Sequence, residues 1–512
     1  MRVGRGFALG MLVAACSDPS QTRPIEPPPL SGPGGGDQVG AGGGGGAVGQ
    51  GGGPSGSGGS TTWSDEDPAS FLMVNCNNAG EPDKPSRRNL ALARINFAAD
   101  HGLGWARVSG GPQQWHTGGL PTPERFQVVL DHAHARGVKA YLFLEYRPDL
   151  DGGTVYDFDW FDVGRQFALA HGDRIDAYGV LNEVDHNEAV QGGLTPAHVA
   201  HAVSNFSDGV RSVVADAVIA SPSVGGTPMT PGQEIPFLQA LAPLIDQGRV
   251  DILNLHTYID ARSPCNGGPH WSSYDGSGDY AAPHENFAWH KRDAGIQTDV
   301  KLGAGEFNYR EWVVDGCPEW GSWSRRGIGF LTTLWSELMA VHDDGKHASS
   351  FHGPFDIFRA EPQRPFSMAL SFDASDPDAY VWTPNPLGET FMRALEISRG
   401  MGFVALDPHE TSSAVLRGDG RKLWVWHNRT GFSTLAGAAT VRLTGVPTSV
   451  DRIDVYTWET PLGSPALVVP TGGQVSVEMD AASLPAEQTL MLVAASEDDG
   501  GITGGLEVAT LR

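Results

Sequence analysis

Two short apolar runs in this chain each carry a glutamate at or near their end. One run spans Tyr178 to Glu183, and the other spans Leu302 to Phe307 and contains Glu306. Such runs predict buried strands, and the carboxyl ends of parallel strands are where catalytic side chains collect in α/β barrels. Two carboxylates about 5 Å apart can break a glycosidic bond, one as proton donor and the other as nucleophile. We therefore expect Glu183 and Glu306 to face each other across one pocket, with Glu145, which also ends an apolar run, as the main competitor.

Other side chains near the predicted strand ends could support this chemistry. Asn182 comes directly before the first glutamate and can hydrogen-bond a sugar hydroxyl near the reacting carbon. Arg107 lies in the second run, and a guanidinium beside Glu306 would hold that carboxylate ionised. Tyr258 closes the sixth run, where its hydroxyl can orient the nucleophile. His256 in the same run either binds sugar or fills the barrel mouth, and both roles stay open.

This set of residues resembles the clan A glycoside hydrolases, which are retaining glycosidases built on a (β/α)8 barrel. In that clan an Asn-Glu pair closes the fourth strand, a Glu the seventh, a Tyr the sixth and an Arg the second. The resemblance covers the barrel part of the chain. It implies that Glu183 is the acid/base and Glu306 the nucleophile.

The chain departs from the clan pattern at two positions that often hold tryptophan. Leu181 stands before the Asn-Glu pair, and the eighth run reads Ser-Phe-His-Gly from Ser350 to Gly353. His116 in the second loop is a further candidate for contact with the ligand. Because these two tryptophans are missing, we expect the aromatic side chain that stacks on the sugar to be Trp115, Trp312 or Phe355.

An alternation of apolar runs and amphipathic helices predicts the (β/α)8 barrel independently of the resemblance. Helix signals stand between the runs: Thr122-Pro123-Glu124 predicts a helix start and Gly137 its end. A doubly wound open sheet is the alternative, but no GxGxxG follows a strand. The eight predicted strands are Phe71–Cys76, Trp105–Ser109, Ala140–Glu145, Tyr178–Glu183, Val218–Pro222, Ile252–His256, Leu302–Phe307 and Ala348–His352.

A second pattern begins near residue 402, where short β-type runs alternate with Gly, Pro and Asp turns. It predicts a C-terminal antiparallel β-sandwich, residues 402–512, after the barrel, residues 63–401. Clan A families five, thirty and thirty-nine carry a similar trailing sandwich. The predicted strands are Ser413–Arg417, Leu423–His427, Ala439–Leu443, Ile453–Thr457, Gln474–Met479 and Leu490–Ala494.

The first residues resemble a bacterial lipoprotein signal. A short apolar run from Phe7 to Ala15 follows two arginines and leads to Cys16, in the sequence Leu-Val-Ala-Ala-Cys. This predicts a signal peptide over residues 1–16, with lipid attached to Cys16; an ordinary cleaved signal is the alternative. Residues 17–62 are rich in Pro and Gly and predict a disordered tether. Ser17 after the cysteine favours an outer-membrane lipoprotein of a Gram-negative bacterium, periplasmic or on the cell surface.

Charge and cysteine usage restrict the partners. With 35 basic and 60 acidic residues the net charge is −25, which argues against nucleic acid. We expect a monomer that takes a carbohydrate substrate, touches the membrane through Cys16 and needs no metal or cofactor. An exported chain permits disulfides, and we expect one between Cys265 and Cys317, with Cys76 left free. The competing function is a non-catalytic carbohydrate-binding lipoprotein.

Overall fold

The computed structural model describes residues 68–76, 85–110, 122–145, 158–185, 190, 193–224, 233–262, 290–312 and 349–354, and shorter segments between residues 369 and 510. For residues 257–262, 307–312, 349–354 and most strands after residue 402, it describes the backbone only. The predicted lipidation at Cys16, the tether and the Cys265–Cys317 disulfide lie outside the described residues and stay predictions. Cys76 is a free, buried cysteine, and burial raises the pKa of its thiol to about 12.

Seven parallel strands form the N-terminal part. They are β1 (Met73–Cys76), β2 (Trp105–Gly110), β3 (Lys139–Leu144), β4 (Ala177–Val180), β5 (Ile252–Arg262), β6 (Lys301–Trp312) and β7 (Ser349–Pro354). One sheet has the order β1-β2-β3-β4 and another the order β5-β6-β7, with all neighbours parallel. β1 and β7 lie against each other, which brings the last strand back to the first.

The fifth barrel position is occupied by a bridged segment, residues 218–224, rather than by the predicted strand. Isolated parallel bridges join Ile219 to β4, and Ala220 and Val224 to β5. Pro222 lies inside this segment and has no N–H group, so it cannot donate to a continuous ladder. With this segment, the strands supply the eight parallel positions, in chain order, of a (β/α)8 barrel.

The main helices lie between the strands. They are α1 (Pro85–His101), α2 (Gln127–Ala135), α3 (Trp160–His171), α4 (Pro196–Arg211) and α5 (Ile235–Asp246). Thr195 caps α4 by accepting from the backbone N–H of His198 at 3.3 Å. The start predicted at Thr122 forms a 3-10 helix, Pro123–Phe126, before α2 begins, and the Thr122 side chain makes no capping bond. Among the described helices, none has the length and apolar content needed to cross a membrane.

Alternate strand residues pack on opposite sides of the barrel wall, as pleated strands require. Met73, Trp105, Tyr141 and Phe143 belong to one small buried cluster, whereas the intervening residues of the same strands pack in a larger cluster together with the helices. Arg107 lies on the same strand face as Trp105, two residues away. The same strand face is therefore apolar at Trp105 and carries a buried charged group two residues further along, at Arg107.

Beyond residue 402, the described strands form two antiparallel sheets. The strands after β7 are β8 (Ala369–Asp373), β9 (Val381–Pro384), β10 (Gly402–Leu406), β11 (Thr411–Gly418), β12 (Arg421–Asn428), β13 (Ala439–Leu443), β14 (Ile453–Thr457), β15 (Ala466–Val468), β16 (Val475–Met479), β17 (Thr489–Ala495) and β18 (Leu506–Thr510). A six-stranded sheet has the order β10-β11-β12-β17-β14-β15, and a three-stranded sheet the order β16-β13-β18. The six strands predicted here are confirmed as strands, while the face-to-face packing of a sandwich stays a prediction.

Candidate active site

Arg107 links two glutamates, Glu145 just past β3 and Glu306 within β6, which runs on to Trp312 and not only to the predicted end at Phe307. Its side chain is only 1% exposed; Nη1 donates to Glu306 Oε1 at 2.5 Å, and Nη2 donates to Glu145 Oε1 at 3.0 Å. Burial lowers the pKa of Arg107, but the carboxylates of Glu306 and Glu145 together outweigh burial, so that this pKa lies above its ordinary value. The guanidinium also lies over the ring of Phe143, 4.3 Å from its centroid. Arg107 is therefore a fixed positive charge against Glu306.

Glu183 lies just beyond β4, in a turn. The predicted strand reached Glu183, but β4 ends at Val180, because Leu181 (φ 70°) and Glu183 (φ 44°) adopt left-handed backbone conformations. Such conformations cost about 1–2 kcal/mol for a residue other than glycine. Ser223 from the bridged segment holds the turn, since its Oγ accepts from the backbone N–H of Glu183 at 2.9 Å. The turn, rather than the strand, sets the direction of the Glu183 side chain.

A bulge in β6 sets the direction of the Glu306 side chain. The register shifts between Leu255 and His256 of β5, so that Gly305 has no partner and Glu306 pairs with His256. The N–H of Gly305 donates to Asn254 Oδ1 at 2.9 Å, and a Cβ at Gly305 would lie 2.4 Å from that oxygen. A larger residue here would have to displace the Asn254 side chain and break its bond to the bulge. The Gly-Ala-Gly sequence before Glu306 thus brings the carboxylate level with His256.

His256 brings the two glutamates together. Its Nδ1 lies 3.0 Å from Glu183 Oε1 and 3.5 Å from Glu306 Oε2, and its side chain is fully buried. One oxygen of each glutamate and Nδ1 of His256 all lie within 4.8 Å of one another. One N and two O atoms at this spacing could also hold a divalent cation. The structure thus places Glu183 close to Glu306, while a substrate pocket between them stays a prediction.

Replacing Arg107 with methionine should destabilise the protein by about 3–5 kcal/mol, because two buried carboxylates lose their cation. The measurement is urea unfolding of the purified variant. Arg136→Met is the matched control, since Arg136 pairs with Asp100 in an exposed ion pair; it should cost less than about 1 kcal/mol. Equal losses for the two variants would mean that the buried network contributes nothing beyond a surface pair.

The structure brings together five of the predicted residues: Arg107, Asn182, Glu183, His256 and Glu306. Asn182 Oδ1 accepts from Arg107 Nη2 at 3.2 Å. Tyr258 and Trp312 lie in β5 and β6 where the structure describes the backbone only, and Trp115, His116 and Phe355 lie outside the described residues.

Two residues at the site were not among the predicted site residues. Ser223 bonds both Asn182 and Glu183, and Asn254 braces the bulge before Glu306. Ser223 stands just past the fifth predicted run, and that position was the only signal that could have drawn attention to it. Asn254 lies inside the sixth run, and nothing in the sequence distinguishes it from a residue that only packs inside the barrel.

Comparison with known proteins places the fold. No protein-family model and no curated protein matches the chain. A family 39 glycoside hydrolase from Bacteroides cellulosilyticus WH2 matches with 14% identity and a TM-score of 0.52, over 84% of this chain and 82% of that one. The wild-type BuGH86 structure in complex with neoagarooctaose matches with 12% identity and a TM-score of 0.52, over 84% of this chain and 75% of that one. The predicted resemblance to the (β/α)8 glycoside hydrolases of clan A is therefore confirmed at the level of the fold.

Proposed function

We propose that the protein is a retaining glycoside hydrolase that cleaves an O-glycosidic bond of a poly- or oligosaccharide. The observation that carries the proposal is the approach of Glu183, in the turn after β4, to Glu306, within β6, with oxygens within 4.8 Å of each other. Retaining enzymes hold their two carboxyl groups about 5–5.5 Å apart, whereas inverting enzymes leave about 6.5–9.5 Å for a water molecule. The short separation favours double displacement through a covalent intermediate.

Glu306 is the nucleophile in this proposal. A nucleophilic carboxylate must be ionised and held in one position while it attacks. Arg107 holds the carboxylate in position, because a buried, permanently charged guanidinium donates directly to Glu306 Oε1. The other oxygen, Oε2, lies 3.5 Å from His256 Nδ1, and the proposal assigns the attack to this atom.

Glu183 is the acid/base. This residue must first give a proton to the leaving oxygen and later take one from water. Its side chain is 20% exposed, compared with 7% for Glu306, so it is the one closer to solvent. It contacts His256 at 3.0 Å, whereas the side-chain hydrogen bonds of Arg107 go to Glu306, Glu145 and Asn182.

The reaction then follows in two displacements. Glu306 attacks the anomeric carbon, the bond to the leaving oxygen breaks, and Glu183 donates its proton to that oxygen. Water next attacks the glycosyl–Glu306 ester while Glu183 removes its proton. The sugar leaves with its original configuration and Glu306 becomes a free carboxylate again.

The experiment is reducing-sugar release from a panel of neutral and anionic polysaccharides. The net charge of −25 disfavours anionic polymers, so release is expected from a neutral one, and xylan and agarose belong on the panel beside glucans and mannans. The same assay with Glu306→Gln should give no release. Binding of a polysaccharide without release by the wild-type protein would refute the proposal and favour a carbohydrate-binding protein.

A further inference from the structure

Ser223 makes three contacts with the turn that carries Glu183. It is fully buried in the bridged segment. Its Oγ accepts from the backbone N–H of Glu183 at 2.9 Å and donates to Asn182 Oδ1 at 2.8 Å. Its carbonyl oxygen accepts from the backbone N–H of Val184 at 3.2 Å. One serine therefore holds three consecutive residues of the turn.

These contacts fix which way the Asn182 amide points. A serine hydroxyl has one hydrogen, and here its oxygen accepts from Glu183, so the hydrogen is directed to Asn182. Arg107 Nη2, which can only donate, also lies 3.2 Å from Asn182 Oδ1. Two donors meet at this oxygen, which excludes the flipped amide. The Nδ2 group of Asn182 has no partner within the described part of the chain, and it is left as a donor toward a ligand.

The same serine stabilises an unfavourable backbone. Leu181 and Glu183 both have positive φ, and turns of this kind persist only where surrounding contacts hold them. Without the Ser223 hydroxyl, the Glu183 N–H would lose its acceptor and the Asn182 oxygen would lose one of its two donors. Asn182 would then be held only by Arg107, and the backbone of the turn at Glu183 would be less constrained.

We propose that Ser223 is a positioning residue for catalysis, which sets Asn182 as a hydrogen-bond donor to the substrate and holds Glu183 in place for proton transfer. This inference rests on the proposed glycosidase function. It also restricts the substrate, because the sugar group facing Asn182 must present an acceptor oxygen. A hydroxyl beside the anomeric carbon meets that requirement.

The kinetic test is a double-mutant cycle between Ser223→Ala and Asn182→Ala. Ser223→Ala should lower kcat/KM about 10- to 100-fold, mostly through kcat, since misplacement of a reacting group costs this much. On the Asn182→Ala background, the same change should cost several-fold less, because the two residues act in part through one contact. Ser207→Ala is the control: Ser207 is equally buried and donates to the carbonyl oxygen of Arg249 at 2.8 Å, in α4. It should leave kcat/KM unchanged, and equal fold losses on both backgrounds would overturn the inference.

A crystal structure of Ser223→Ala tests the placement without any assay of activity. The Asn182 amide should rotate, or the φ of Glu183 should relax, relative to the wild-type crystal structure. If Asn182 and Glu183 keep their positions in the variant, Ser223 does not position them. A wild-type protein with no hydrolytic activity would refute the proposed function alone, and this structural comparison would still decide the role of Ser223.

Discussion

Replacement of Glu306 with glutamine is expected to lower kcat by roughly four orders of magnitude or more, because the covalent step loses its nucleophile. Glutamine keeps an oxygen that can accept from Arg107, so the fold should survive the change. The measurement is kcat on an aryl glycoside of the sugar identified by the polysaccharide panel. Circular dichroism and a thermal melt of the variant would show that the loss is chemical.

Glu306→Ala should regain part of this activity when azide is added. The small anion can occupy the space of the missing carboxylate and attack the anomeric carbon from the same side. The product should be a glycosyl azide of inverted configuration, which NMR identifies. A glycosyl azide of retained configuration would show that Glu306 is not the nucleophile. Without azide, a kcat of Glu306→Ala above about one tenth of the wild-type value would exclude covalent catalysis by Glu306.

Replacement of Glu183 with alanine or glutamine should have an effect that depends on the leaving group. A poor leaving group needs protonation, so kcat/KM for natural sugar substrates should fall by roughly 10²- to 10⁴-fold. An activated phenol leaves without a proton, so the first step should be much less affected. The measurement is a series of aryl glycosides with phenols of increasing acidity, compared between variant and wild type.

Glu145→Gln is the matched control for Glu183. Glu145 is also a buried glutamate at a strand end and contacts Arg107 at 3.0 Å, but it does not supply an oxygen to the group formed by Glu183, His256 and Glu306. Its loss should lower activity by the same factor on every substrate. Azide added to Glu183→Ala should give a product of retained configuration, since the covalent intermediate still forms. If Glu183→Ala loses activity by the same factor on every aryl glycoside, Glu183 is not the acid/base. Glu145 would then be the candidate for that role.

The alternation of strands and helices was predictable because it depends on local patterns. Runs such as Trp105–Ser109 and Ile252–His256 lie within observed strands, and the predicted bounds of β13 and β14 match the structure. Apolar residues at helical spacing and glycines past the helix ends act over a few residues. Gly102 and Gly137, for example, both have positive φ just beyond α1 and α2.

The fifth strand shows where local patterns fail. The apolar run before Pro222 has the composition of a strand, but pairing requires N–H groups at fixed positions on both sides, and the segment forms only isolated bridges. The C-terminal part shows a related limit. β13 pairs with β16 and β18, and β12 pairs with β17, so both sheets include pairs of strands that lie far apart in the chain.

The amino-acid sequence alone specifies which residue types stand near the ends of the predicted strands. A glutamate in the fourth and seventh predicted strands, an arginine in the second and a histidine in the sixth are enough to predict one pocket. The positions of these side chains relative to one another depend on the tertiary structure. The left-handed turn at Glu183, the bulge at Gly305 and the hydroxyl of Ser223 each depend on contacts between segments that lie 40 or more residues apart. Such contacts follow from strand register and close packing, which no stretch of sequence specifies alone.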